Sequence, residues 1–473
     1  MIIEHLREPR LLFANGTHVC PRRGIAEYGV FDQLQATRRS EIYVAGIGTS
    51  NCIDLLDKWI KRCSGVIAAA SDVKQENLRL PFFGFNRKSG FGTDMKFSTD
   101  LSRTLKNSEV KEILDIGDRT KKVLRAIDCY YENIKFLAQN RHVDVIVCVV
   151  PEKLYKAIAI EEPLGEETLE DGENQYEELN FRRALKARAM PLAKPLQLIR
   201  QVTLDVKKVA RQQDDATKAW NFCTALYYKS GPTIPWKLDQ DNAKASSCAV
   251  GISFYRSRDR QTLSTSLAQI FDELGNGLIL RGTPVDIDKD DRVPRLSAQQ
   301  AHDLLAAALN EYRIALRTYP ARVVIHKSSN FSDDEIEGLE SAASAVKIDS
   351  VDFVTVMDSK LRLFRDGNYP PYRGTLAQLD ADRQLLYTRG SVWYYQTYPG
   401  LYVPQPIELR SVKCEESPNF IAREILGLTK MNWNNTQFDG KYPVTLGCSR
   451  KVGEIMKYLT DADTPQIRYG YYM

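Results

Sequence analysis

The residues best suited to chemistry in this chain are cations gathered on one short stretch. From Phe181 to Arg211 there are nine basic residues (Arg182, Arg183, Lys186, Arg188, Lys194, Arg200, Lys207, Lys208 and Arg211) against one acid, Asp205. On a helix beginning near Glu178, Arg182 and Lys186 stand one turn apart and share a face, where a guanidinium and an ammonium group converge on one phosphate. The same charges would decorate a solvated helix face, and charge alone favours that reading. Just before this window, Glu161 to Glu178 holds nine acids and no lysine or arginine, broken by Gly165 and Gly172. That is the pattern of a solvated loop insertion with no chemistry of its own.

Metal and thiol chemistry find little support. The nine cysteines are scattered without a Cys-x-x-Cys pair, and nine is odd, which argues against a disulfide framework or a zinc knuckle. Five histidines form no cluster, and lone His326 reads as a structural histidine rather than a ligand.

The elements that must position these residues follow from length and pattern. The chain has 473 residues, 43% hydrophobic, 27% charged and 10% aromatic, a composition that excludes a disordered chain and a single small module and predicts two or three packed domains. A net charge of +4 neither demands nor excludes a nucleic-acid partner. The opening residues lack a basic segment followed by an apolar one, and no run approaches the roughly 20 apolar residues that span a bilayer, so a cytoplasmic protein is expected. Apolar, β-branched runs at 42–47, 143–150, 196–204, 248–255, 278–281, 322–326 and 351–357 read as buried strands. Between two of them, Leu304, Leu305, Ala308, Leu309, Tyr312 and Leu316 form the stripe of an amphipathic helix over Ser297 to Tyr319, closed by Pro320. Strand, helix, strand implies an α/β layer. The Gly/Pro-rich stretch Gly231-Pro232-Thr233-Ile234-Pro235-Trp236 marks a domain division.

Several strings resemble one family. They are Cys20-Pro21-Arg22-Arg23-Gly24-Ile25 with Tyr28-Gly29-Val30-Phe31-Asp32, and Asn221-Phe222-Cys223-Thr224-Ala225-Leu226-Tyr227-Tyr228-Lys229-Ser230-Gly231 ending in Pro235-Trp236. Near the C-terminus stand Ile425-Leu426-Gly427-Leu428-Thr429-Lys430-Met431-Asn432-Trp433-Asn434 and Tyr442-Pro443-Val444-Thr445. Together they are similar to the Argonaute family, and more narrowly to its short prokaryotic members, which have only a MID and a PIWI domain. The resemblance implies an α/β protein: an N-terminal segment over 1–37 packed on the rest, a Rossmann-like MID domain over 38–235 and an RNase H-like PIWI domain over 236–473.

It also gives the basic window a role. By analogy Arg182 and Lys186 grip the 5′-phosphate of a guide strand, Gln197 follows the next strand and Lys229 comes from a later helix. In the family the C-terminal carboxylate, here that of Met473, reaches the pocket through a divalent ion together with the Gln197 position, which suits Mg²⁺ because it prefers carboxylate and phosphate oxygens. Many relatives carry tyrosine or histidine where Arg182 stands.

Cutting PIWI domains hold two Mg²⁺ ions about 3.5–4 Å apart with a cluster of carboxylates. Here Val250-Gly251-Ile252-Ser253 matches the strand that should end in the first aspartate, Val323-Val324-Ile325-His326-Lys327-Ser328 matches the second, and Cys448-Ser449-Arg450 stands at the last position. Ser253, Ser328 and Ser449 replace the acids, so the resemblance implies no catalytic residues. Only a shifted register through Asp259, Asp333 and Asp334 would supply acids. Arg256, Arg258, Arg260, Arg362, Arg365, Arg373 and Arg389 are candidates to track a guide–target duplex. An aromatic stretch (Tyr387, Trp393, Tyr394, Tyr395, Tyr398, Tyr402) offers stacking, although the alternation in Val392-Trp393-Tyr394-Tyr395 predicts a half-buried strand.

The expected function is that of a guide-loaded sensor without nuclease activity. It would bind a 5′-phosphorylated guide RNA, pair it with invading single-stranded DNA, and activate an APAZ-containing effector. A sirtuin-like, NAD-depleting effector is the first expectation and a TIR effector the second, as an immune response against plasmids or phage. The alternatives are a guide-directed, Mg²⁺-dependent DNA endonuclease and a passive nucleic-acid-binding protein.

Overall fold

The computed structural model describes residues 1–36, 38–71, 78–160, 179–205, 213–231, 233–239, 246–258, 263–271, 277–285, 294–367, 370–400, 403–460 and 463–473. The acidic stretch 161–178, Lys207, Lys208 and Arg211 of the basic window, Asp259, Arg260 and Tyr402 lie outside these residues.

All six residues of Val145–Val150 are buried, as a strand covered on both faces requires. It sits inside a parallel sheet ordered Asp94–Lys96, Glu41–Gly48, Val145–Val150, Leu196–Arg200, with Ser102–Thr104 also paired to Glu41–Gly48. The 22-residue helix Arg119–Asn140 precedes the central strand and is started by Asp118, whose side chain accepts from the Lys121 N–H. The strand expected over 196–204 ends at Arg200. The chain then coils through the short helix Gln201–Leu204, which turns Leu204 into the core at 2% exposure.

The larger sheet has nine strands among the described residues. In spatial order they are Ile2–His5, Thr375–Gln378, Arg383–Leu386, Ile407–Lys413, Ser350–Asp358, Arg322–Lys327, Ser247–Arg256, Leu263–Phe271 and Gly277–Val285. Ser247–Arg256, Arg322–Lys327 and Ser350–Asp358 run parallel at its centre, flanked by antiparallel strands. The parallel crossover is the helix Ala298–Leu316, opened by a capping box between Ser297 and Gln300, with the expected stripe from Leu304 to Tyr312 buried. On the sheet's other side the helix Val444–Met456 runs so close that a β-carbon on Gly251 would lie 2.4 Å from the Thr445 backbone. Glycine in Val250-Gly251-Ile252 is thus a requirement of helix–strand packing.

The N-terminal residues enter two sheets, the larger one and a separate three-stranded one. Ile2–His5 forms an edge of the larger one, and Leu11–Phe13 pairs with Gly16–His18 and with Lys237–Leu238. Asp32 accepts from the Tyr227 hydroxyl (2.6 Å) and the Ile234 N–H (3.2 Å). Across the expected division, Trp236 Nε1 donates to Lys430 O and Trp433 Nε1 to Trp236 O, both at 3.0 Å, while Tyr228 stacks on Trp433. One apolar cluster runs continuously from Val44 and Val147 through Trp236 to Trp433 and Met473.

Candidate functional site

The basic window folds into the helix Phe181–Ala189. It starts later than a beginning near Glu178 would place it, because Asn180 is its cap: the Asn180 side chain accepts from the Arg183 N–H, and its own N–H donates to Tyr458 Oη (3.1 Å). Arg183 adds an ion pair to Glu454 at 2.5 Å, so the helix start is fixed against the C-terminal helix. One turn in, Lys186 is 3% exposed and its Nζ lies 3.5 Å from Tyr472 O.

Lys229 ends the helix Asp215–Lys229 and is 1% exposed. Its Nζ donates to Gln197 Oε1 (2.5 Å), Leu196 O (3.2 Å) and Met473 O (3.2 Å). Four of the residues expected in the pocket therefore converge: Lys186, Gln197, Lys229 and Met473. Arg182 is exposed at the mouth and its charge bears on both lysines. Burial, reinforced by Arg182 and for Lys186 also by Lys229 and Lys451, holds both ammonium groups well below the ordinary lysine range. Among the described residues no aspartate or glutamate side chain pairs with either lysine. The neighbouring Cys148 thiol is pushed up to about 12 by burial and supplies no thiolate. Two buried lysines whose partners are main-chain and amide oxygens, with no aspartate or glutamate beside them among the described residues, make a site that an entering anion stabilises strongly.

Two contributors escaped sequence reasoning. Lys451 lies on the helix Val444–Met456, where the Arg450-Lys451 pair looks like ordinary surface charge, and Tyr472 acts through its main-chain oxygen, which no side-chain pattern reveals.

The three serines expected where acids would stand are only partly brought together. Ser253 and Ser449 are buried with their Oγ atoms 2.5 Å apart, although 196 positions separate them, and Ser449 Oγ also lies 3.1 Å from Leu446 O. Ser328 is half-buried just past the end of the Arg322–Lys327 strand. His326 is paired in register with Gly251, and its Nδ1 meets Thr445 Oγ1 at 2.9 Å. Burial and the nearby Arg322 push the imidazole down to about 3, so it is neutral. Asp333 and Asp334 are exposed on the first turn of the helix Asp333–Ala345, while Glu335 is buried against Lys327 at 2.6 Å. Among the described residues no three His, Cys, Asp or Glu side chains form a metal-holding group.

Of the duplex-tracking candidates, Arg373 is a correction. It is fully buried, held by Glu8 (3.0 Å), Thr388 O, Leu426 O and Thr429 Oγ1, and so fastens the N-terminal segment to the larger sheet. Arg389 is likewise buried, beside Asp439 O. Arg256, Arg258 and Arg362 are exposed.

The sequence matches no protein-family model and no curated protein. Solved structures do match the fold. Clostridium butyricum Argonaute, bound to a guide DNA and a 19-mer target DNA, superimposes with a TM-score of 0.69 over 98% of this chain at 17% identity. The chain has the Argonaute MID–PIWI fold. Drosophila Piwi (TM-score 0.61, 15% identity, 100% of this chain) and Marinitoga piezophila Argonaute in complex with a 5′-OH guide RNA (0.58, 14%, 100%) agree. The chain spans only 54%, 56% and 59% of those three proteins. No helix among the described residues is long and apolar enough to cross a membrane. By likeness of fold the smaller parallel sheet is MID-like and bears Gln197, with Lys186 and Lys229 on helices beside it, the nine-stranded sheet is PIWI-like, and residues 472 and 473 close the pocket.

Proposed function

We infer that this protein is a guide-binding Argonaute subunit that holds the 5′-phosphate of a guide strand in the pocket of Lys186, Gln197, Lys229 and Arg182. The observation that carries the reading is the pair of buried lysines, which have no aspartate or glutamate partner among the described residues. A terminal phosphomonoester brings up to two negative charges and three acceptor oxygens to donors already in place. Marinitoga piezophila Argonaute is in complex with a 5′-OH guide RNA, and the end group of the guide is the variable to test here.

Mg²⁺ would be held through hard oxygens, Gln197 Oε1 and Met473 O, both of which accept from Lys229 Nζ here, together with phosphate oxygens. Bound there it would neutralise phosphate charge; the lysines orient the phosphate, and Arg182 guards the mouth.

In this reading the guide is RNA, the target is single-stranded DNA, and the PIWI serines leave the target uncut. Duplex formation activates a separate APAZ-containing effector that depletes NAD, sirtuin-like before TIR, in defence against plasmids or phage. Activation requires that the duplex-bound shape bind or release the effector differently from the empty one. The test is to sequence and end-label nucleic acid copurifying with the chain and any bound partner, then to follow NAD in the assembled complex. Short 5′-phosphorylated RNAs, and NAD loss that depends on a matched target, are expected. Random-length duplex DNA, or NAD loss indifferent to target sequence, contradicts the reading.

A further inference from the structure

The stretch Val392-Trp393-Tyr394-Tyr395 is not the half-buried strand its alternation predicts. It is a tight turn closed by the Val392 N–H to Thr397 O bond (2.8 Å), with Tyr395 N–H donating to Val392 O (3.1 Å) and Gln396 in the left-handed region at φ 52°. The Gln396 side chain donates to Trp393 O (2.7 Å), and Tyr395 is pinned inward by its hydroxyl on Cys20 Sγ (2.7 Å) and by Phe438. This bonding holds the tip in one shape with two rings facing solvent: Trp393 is 59% exposed and Tyr394 43%.

The surroundings say what these rings suit. Tyr372 stands edge-on to Trp393 (5.3 Å between centroids), and the Arg365 guanidinium lies 3.9 Å over Tyr372. Arg365 is half-buried, and its Nε is a buried donor with no hydrogen-bond partner among the described residues. His18 stands edge-on to Tyr394 at 5.3 Å. Arg23 bears electrostatically on Tyr394 and Arg10 on the adjoining His18, with the acid Glu27 also close to both rings. Open aromatic faces rimmed by cations are the arrangement on which unpaired bases stack while arginines meet the intervening phosphates.

We propose that the turn 392–397 is a stacking platform for unpaired bases of a single-stranded nucleic acid, with Trp393 and Tyr394 supplying the faces and Arg365 and Arg23 the phosphate contacts. The platform shares no residue with the phosphate pocket and goes beyond it. It would hold a stretch of strand outside the paired region.

The chain carries its own probe. It has five tryptophans, of which Trp59, Trp220, Trp236 and Trp433 are at most 3% exposed, so Trp393 alone is open to a stacked base. The experiment titrates the full chain with a 5′-hydroxyl oligothymidylate and reads tryptophan emission. A saturable quench is expected. Trp393→Leu should abolish the quench, and Trp393→Leu with Tyr394→Leu should weaken binding about tenfold or more. Both positions are exposed, so these variants keep the core, and an unchanged 5′-phosphate preference checks their folding. Binding without a change in emission, equal binding by the double variant, or an emission change produced only by a protein partner would overturn the proposal. Lys186→Ala with Lys229→Ala separates the two readings. If it leaves the 5′-phosphate preference intact the pocket assignment fails, whatever the oligothymidylate quench does.

Discussion

Lys229 Nζ lies 2.5 Å from Gln197 Oε1 and 3.2 Å from the main-chain oxygen of Met473, 244 positions further along the chain. The MID-like sheet and the end of the PIWI half thus share one buried ammonium group. Lys186 repeats the relationship through Tyr472 O. An anion in this pocket would touch groups from both halves at once.

The electrostatics set a pH dependence. Burial first, and neighbouring cations second, hold both lysines well below the unfolded value near 10.5. The unfolded chain therefore binds more protons than the empty folded one, and the stability of the empty protein rises as pH climbs from the lowered folded values toward about 10.5. A bound phosphate favours the ammonium form, so loading takes up protons. The advantage of a 5′-phosphate over a 5′-hydroxyl guide should shrink as pH rises over the same window, and paired affinities across alkaline pH measure it. An advantage that grows with pH would contradict the account.

Glu8 is the counter-charge for two fully buried cations, Lys430 at 2.6 Å and Arg373 at 3.0 Å. Burial opposes its charge, yet the two cations hold the carboxyl below its usual range, and burial pushes Lys430 down to about 8 even with Glu8 beside it. Glu8→Gln should cost about 3–5 kcal/mol in urea unfolding, since it strands buried charge. The Glu8 contribution is present above the ordinary glutamate pKa and is lost as pH falls through the lowered folded value. The variant should accordingly show a shallower acid limb.

Ser253 and Ser449 satisfy each other in a buried space. Ser449→Ala should lower stability by about 1–2 kcal/mol, because the Ser253 hydroxyl loses a partner, with guide binding unchanged. Matched target DNA should remain uncut in Mg²⁺ for the native chain and for Ser253→Asp, since one acid cannot hold two metals. Cleavage at one defined position in the native chain would contradict this.

Gly251→Ala tests the packing that carries His326 to Thr445. A β-carbon 2.4 Å from the Thr445 backbone must push the helix Val444–Met456 outward, and a loss of about 1–3 kcal/mol is expected in thermal or urea unfolding. Native-like stability would show that the helix sits farther from the strand than described.

Much of this was legible in the sequence where periodicity and burial agree. The apolar run at 145–150 and the stripe from Leu304 to Tyr312 announce their elements because each has one way to bury its face. Lys186, Gln197, Lys229 and Met473 were legible through a family resemblance and not through spacing, because the pocket is assembled across the whole chain. Arg373 misled because a buried arginine and a surface one have the same letter, and only Glu8 beside it tells them apart. The turn 392–397 misled because alternation predicts a strand, while the left-handed Gln396 and the Val392–Thr397 closure that defeat it are tertiary facts.

The most direct measurement compares 5′-phosphorylated and 5′-hydroxyl guides of one sequence for binding to the native chain and to Lys186→Ala with Lys229→Ala. Two charge-assisted contacts predict a phosphate preference of about a hundredfold or more in the native chain, abolished in the variant while the 5′-hydroxyl affinity stays the same. Equal affinities for both guides, or equal weakening of both in the variant, would contradict the account and reduce the two lysines to buried structural cations.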